Sequence, residues 1–147
     1  MRPYVVCLLA LSLSNLGCED DPTGLANEVE VLTDESSYQG GEWVTITVRN
    51  DGDETVGILL CEGGLMIPEV QRRENGRWES ISGLACAPPT FGTLHVEPGT
   101  TTAPIFVEVD GLDGPGTYRF GFLVFEDAES PEEEDLTTVF GGSIHVE

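Results

Sequence analysis

Gly114-Pro115-Gly116-Thr117-Tyr118-Arg119-Phe120-Gly121-Phe122-Leu123-Val124-Phe125 reads as a turn that releases a β-strand. Tyr118, Phe120, Phe122 and Val124 recur at period two, which puts them on one face of that strand. A fully buried aromatic ring removes about 150–250 Å² from water, so this face predicts the centre of a hydrophobic core. The other segments are then expected to be its partners.

Working outward, Trp43–Arg49 (WVTITVR) alternates cleanly, with Val44, Ile46 and Val48 on one face. Asn75-Gly76, between Ile67–Arg73 and Arg77–Ile81, is a strong hairpin signal, because both residues tolerate the positive φ of a type I′ turn. A two-residue turn there would pair Glu74 with Arg77, Arg72 with Glu79 and Val70 with Ile81. Cross-strand pairs of this kind contribute about 0.2–1 kcal/mol each. Short strands also read from Glu28–Val31, Thr55–Leu60, Thr93–Val96, Pro104–Val109, Thr137–Phe140 and Ser143–Val146, with Gly141-Gly142 as a bulge or kink. No helix-length amphipathic stretch follows the leader. The reading is all-β, an antiparallel β-sandwich of about seven to nine strands.

The 147 residues leave room for one domain and a short leader. Asp and Glu number 27 against 6 basic residues, all arginine, for a formal charge of −21. Such a chain repels nucleic acid and anionic membrane surfaces, whereas cationic partners, divalent metals or plain solvation remain compatible.

Residues 1–17 have the form of an export signal. Arg2 precedes the apolar run Tyr4–Leu13, which is too short to span a bilayer. Gly17-Cys18 at its end resembles the bacterial lipoprotein signal, in which the cysteine is diacylated and becomes the mature N-terminus. Asn15 and Leu16 depart from that pattern, and ordinary secretion or a periplasmic location stays open beside lipid anchoring. Residues 18–27, lipidated Cys18 followed by a polar stretch with Pro22 and Gly24, read as a tether. Residues 28–147 read as the sandwich domain.

Once Cys7 leaves with the leader and Cys18 takes lipid, Cys61 and Cys86 remain. In an exported chain the default is a structural disulfide. Closing a loop of 26 residues contributes about 3.5 kcal/mol on the chain-entropy account. No Cys-x-x-Cys spacing favours a redox pair or metal site.

Catalysis has little to stand on. Only His95 and His145 could serve as imidazole bases, and no Gly-x-Ser-x-Gly elbow is present. Each histidine sits between apolar neighbours of a short strand, which turns it toward solvent. For a metal, Asp51-Gly52-Asp53-Glu54 offers weak hard-oxygen candidates in Asp51, Asp53 and Glu54, yet the same residues suit an ordinary turn. The expectation is no metal and no cofactor.

Several segments resemble a family. Tyr38–Asn50 (YQGGEWVTITVRN) is similar to the opening of bacterial immunoglobulin-like domains, and Asn50–Val56 to the turn that follows. Glu97-Pro98-Gly99-Thr100, Arg77-Trp78-Glu79 and Pro115-Gly116-Thr117-Tyr118-Arg119 resemble that family's later turns and strand entries. The resemblance covers residues 38–125. It implies an immunoglobulin-like antiparallel β-sandwich in which Tyr118 acts as the corner tyrosine. The same signature occurs in the BsuPI-type group associated with proteinase inhibition. Together these readings predict a non-enzymatic, lipid-anchored protein of the bacterial cell envelope that binds a protein partner or spaces a surface. The alternative is a proteinase inhibitor using the Ser82–Thr93 loop, braced by Cys86 and stiffened by Pro88-Pro89.

Overall fold

The alternating segments form strands throughout the computed structural model, which describes residues 24–61, 64–82, 92–126 and 136–147. A single helical turn, α1 (Leu25–Glu28), precedes β1 (Val29–Thr33), β2 (Ser37–Tyr38), β3 (Trp43–Asn50), β4 (Val56–Leu60), β5 (Glu69–Glu74) and β6 (Arg77–Ser82). Then come β7 (Gly92–Val96), β8 (Ile105–Glu108), β9 (Gly116–Glu126), β10 (Thr137–Phe140) and β11 (Ile144–Val146). Leu25, read as part of a tether, is 2% exposed and belongs to the core, so the packed domain includes α1.

Two sheets face each other. The small one has the order β1-β3-β8. The large one runs β2-β11-β9-β4-β7, with β10 and β5 also on β9 and β6 on β5. All pairings are antiparallel except β2 with β11. The chain therefore changes sheets between β1 and β2, crosses back for β3, and does so again at β8. This sheet-switching order makes an immunoglobulin-like β-sandwich.

The aromatic strand is its centre. Tyr118, Phe120 and Val124 are fully buried and Phe122 nearly so. They meet Val44, Ile46 and Val48 from the small sheet and Ile58, Val70 and Ile144 from the large one. Truncating one such ring to alanine costs about 3–5 kcal/mol. The Tyr118 hydroxyl donates to the Gly114 carbonyl at 2.5 Å, closing the turn that leads into β9. This is the corner geometry that the resemblance implied. Arg72 reinforces it, donating to Pro115 O at 2.9 Å and lying 5.8 Å from the Tyr118 ring centre.

On its other face β9 carries Phe125, also fully buried. Its cross-strand partner is Gly57, and a Cβ there would lie 2.4 Å from the ring. Gly121 opposite Phe140 repeats the device, with a Cβ placed 2.6 Å from the ring. Both glycines let a ring lie flat on the neighbouring backbone.

At the hairpin, Asn75 (φ 49°) and Gly76 (φ 80°) adopt the expected left-handed pair. Glu74 pairs with Arg77 and Arg72 with Glu79. The expected Val70–Ile81 pair does not form. Val70 pairs with Ser82, and Ile81 is the extra residue of a bulge. β5 is held on β9 with Val70 opposite Phe120, so the mismatch is absorbed in β6, which has no second partner strand among the described residues. The Arg72 side chain turns to Asp113 (3.3 Å) and Glu74 (3.6 Å).

Asn50 is the one fully buried polar residue among those described. Its Nδ2 donates to Val96 O (2.9 Å) and Glu54 O (2.7 Å), and its Oδ1 accepts from the Gly52 N–H (3.0 Å). Asn50 ends β3 in the small sheet and Val96 ends β7 in the large one, so one amide ties the two sheets together.

Candidate functional site

The small sheet covers only part of the large one. β8 pairs with β3 alone among the described residues, which leaves one side of the sandwich open beside it. The Val109 N–H donates to Glu42 O, and antiparallel alternation then turns the N–H and C=O groups of Val107 and Ile105 toward β3. The N–H and C=O of Phe106 and the N–H of Glu108 consequently point away from β3, along an edge with no partner strand among the described residues, and the Glu108 C=O caps the 3-10 turn Val109–Gly111.

Two grooves run along this edge between the sheets. One, of ≈ 570 Å³, lies between Val107 and Leu112 on one wall and Ile67, Val70 and Ile81 on the other, with Glu108 and Asp113 at its rim. The second, of ≈ 510 Å³, lies between Ile105 and Leu60, Leu65, Met66 and Leu94. Among the described residues no arginine lines either groove. Leu65 is 60% exposed, Ile67 40% and Ile81 39%, while Phe106 and Trp43 on the outer face of the small sheet reach 61% and 54%. Large apolar side chains thus stay wet both at the grooves and on the outer face of the small sheet.

The local sequence explains each wall. Ile81 is exposed because the bulge makes it surplus to the β5–β6 pairing. Ile105 and Val107 are the inward residues of a strand with no neighbour outside it among the described residues, and they are only half covered. Met66–Pro68 precede β5 outside any helix or strand, after the isolated bridge from Cys61 to Leu65.

Of the residues singled out from sequence, His95 lies at this side, in the lining of the second groove, and Asp51, Asp53, Glu54 and His145 do not line either groove. Asp51 accepts from Arg49 Nε at 3.0 Å, and its N–H donates to Glu28 O at 2.7 Å. Asp53 and Glu54 are exposed, and the Glu54 carbonyl serves Asn50. Among the described residues no group of three or more His, Cys, Asp or Glu is placed to hold a metal ion. His95 and His145 face outward on β7 and β11, while Val96, Ile144 and Val146 beside them are buried, as the alternation predicted. Cys61 is buried and disulfide-bonded. Cys18, Cys86 and most of the Ser82–Thr93 loop, Pro88-Pro89 included, lie outside the described residues.

Displaced titrations have structural causes. Burial, with the Asp34 carboxylate beside it, pushes the Tyr38 phenol up; its hydroxyl donates to Asp34 Oδ1 at 2.7 Å. Partial burial works to raise Asp34, yet that bond and the Thr45 N–H at 2.8 Å outweigh it and hold the carboxyl below its usual range. Burial also raises Tyr118, against the opposing pull of Arg72. On the outer face of the large sheet Arg119 lies 4.6 Å from the Trp78 ring centre and 4.0 Å from that of Phe140, a cation–π stack that braces β9 against its neighbours.

No protein-family model matches the chain, and no curated protein matches it. Among solved structures it is similar to a mutant β-glucosidase from Listeria innocua in complex with laminaribiose (14% identity, TM-score 0.36, covering 82% of this chain and 16% of that one). It is similar also to the sporulation control protein Spo0M from Bacillus subtilis (15%, 0.38, 82% and 49%). A third likeness is to an ASH/PapD-like domain of human CEP192 (16%, 0.33, 93% and 95%). The chain thus spans about a sixth of the glucosidase and half of Spo0M.

Proposed function

We propose that this chain is a non-enzymatic, lipid-anchored module of the bacterial cell envelope that works by binding another protein. The observation that carries the binding role is the uncovered apolar side along β8, where Leu65, Ile67 and Ile81 remain substantially exposed. Anchoring rests on the export-type leader and Gly17-Cys18; acylation with two or more chains gives durable attachment, where one chain is marginal.

Two measurements test this. Metabolic labelling with a palmitate analogue is expected to mark the full-length chain and to fail for Cys18→Ser; equal labelling of both would refute anchoring at that cysteine. Cross-linked capture from solubilised envelope, with the full-length chain as bait, is expected to recover a non-proteolytic protein, and Ile67→Asp or Ile81→Asp is expected to lose it. A protease recovered intact and silenced would replace this reading with inhibition. Turnover of a substrate by the purified chain, abolished by one surface substitution, would refute the non-enzymatic role.

A further inference from the structure

We infer that the open side is a strand-acceptor site: an extended segment of a basic partner adds to the free edge of β8 as a fourth strand of the small sheet. The inference rests on the binding role above and specifies its surface, geometry and partner chemistry.

Three independent features converge on β8. The first is backbone. Phe106 presents its N–H and C=O outward and Glu108 its N–H, with no strand beside them among the described residues, while the Glu108 C=O caps the 3-10 turn Val109–Gly111; such a row is a template for main-chain pairing. The second is side-chain space. A strand laid beside β8 projects alternate residues between the sheets, and there the grooves lie, lined by Val107, Ile67, Ile81 and Leu112 at one end and by Ile105, Met66 and Leu94 at the other. Apolar side chains two residues apart would enter them in turn.

The third is charge. The intervening residues of the added strand face outward beside the exposed Glu108, in a chain of net charge −21, and Asp113 at the groove rim is already shared with Arg72 at 3.3 Å. Arginine or lysine at those positions is attracted both locally and by the whole domain's field. A second copy of this chain meets the opposite situation, because two bodies of that charge repel. The occupant is therefore a segment alternating apolar and basic residues, not another copy.

Glu108 supplies a selective test. Its φ of −73° is one that proline adopts, its side chain is exposed, and its N–H points off the edge, away from β3. Glu108→Pro therefore deletes an acceptor-strand donor and spares the β3–β8 ladder. Glu108→Ala removes the same carboxylate and keeps the N–H. The probe is a short synthetic peptide alternating valine and arginine, titrated into the full-length chain in mild detergent, with a scrambled peptide of equal charge as control.

The alternating peptide is expected to bind and to slow hydrogen exchange at the Phe106 and Glu108 amides, and the scrambled one to do neither. Glu108→Pro is expected to weaken binding about tenfold more than Glu108→Ala does, the equivalent of one charge-independent backbone bond. Equal binding of both peptides, equal loss in both variants, or no protection at those amides would overturn the strand-acceptor geometry. If envelope capture still succeeded and depended on other residues, the binding role would stand without it. Dimers by sedimentation that block peptide binding would assign the edge to a second copy and overturn the proposal.

Discussion

Replacing Asn50 is expected to loosen the sandwich more than any other single polar substitution among the described residues. Its side chain makes three hydrogen bonds, to Glu54 O, Val96 O and the Gly52 N–H, and has no exposed surface. At about 1 kcal/mol net for each bond, Asn50→Ala loses about 3 kcal/mol. The Val96 carbonyl, on a residue only 3% exposed, is left without that partner, which adds about 1 kcal/mol or more. The expected total, about 4 kcal/mol, is a large share of the 5–15 kcal/mol typical of a domain. Asn50→Asp separates charge from shape. A carboxylate there faces two carbonyl oxygens in a buried site, so its folded pKa rises above its unfolded value of about 3.9. The folded state then holds the proton more tightly, and stability falls as pH increases from about 4 until the raised pKa is passed. Urea denaturation of the full-length chain, followed by far-ultraviolet circular dichroism between about pH 3.5 and 7.5, reads both effects as differences from the parent. An alanine variant within about 1 kcal/mol of the parent, or an aspartate variant whose deficit does not grow with pH, would refute the role of Asn50 as an inter-sheet tie.

Tyr118→Phe removes the donation to Gly114 O and is expected to cost about 1–1.5 kcal/mol in the same denaturation assay; an unchanged midpoint would mean that the corner bond contributes nothing net. For Asp34, whose carboxyl is held below the ordinary aspartate range, the stabilisation is present above the unfolded pKa and is lost as pH falls through the lower folded one. The melting-temperature advantage of the parent over Asp34→Asn is therefore expected to shrink below about pH 4, and an advantage that widened in acid would contradict the assigned cause. Peptide mapping under non-reducing conditions is expected to link Cys61 to Cys86, and Cys61→Ser to lose about 3.5 kcal/mol less any strain released; a map joining Cys61 to another cysteine would reassign the bridge.

What the sequence disclosed is what depends on near neighbours. The buried face of β9, the left-handed pair at Asn75-Gly76 and the outward histidines all follow from alternation or turn chemistry within a few residues. Asn50 was visible only as a residue favoured at turns. Its burial depends on Val96, 46 positions away, which periodicity cannot place. Arg72 was paired with Glu79 on register alone, and register was right, yet its guanidinium went to Asp113, 41 positions on, and to the turn that Tyr118 closes. β2 was missed because two residues give no period; its pairing with β11 decides which sheet Tyr38 enters. The metal reading of Asp51, Asp53 and Glu54 rested on composition, and Arg49 claims the first of them.

The open edge was illegible for a different reason: it depends on β8 having no second partner strand among the described residues. Pro104–Val109 reads as an ordinary strand, and nothing in it announces that β3 will be its one neighbour among the described residues. Proteins ordinarily protect such an edge locally, with lysine, proline, a bulge or a covering loop. β8 has Pro104 just before it and Glu108 at its end, which is modest protection for a strand that exposes Phe106 and borders a groove with exposed Ile67 and Ile81. The charge of −21 supplies the remainder over the whole surface, since it opposes edge-to-edge pairing of like chains wherever they meet. A local gatekeeper blocks every strand that approaches. A global negative charge blocks only those that share it, and so leaves the edge open to a basic one.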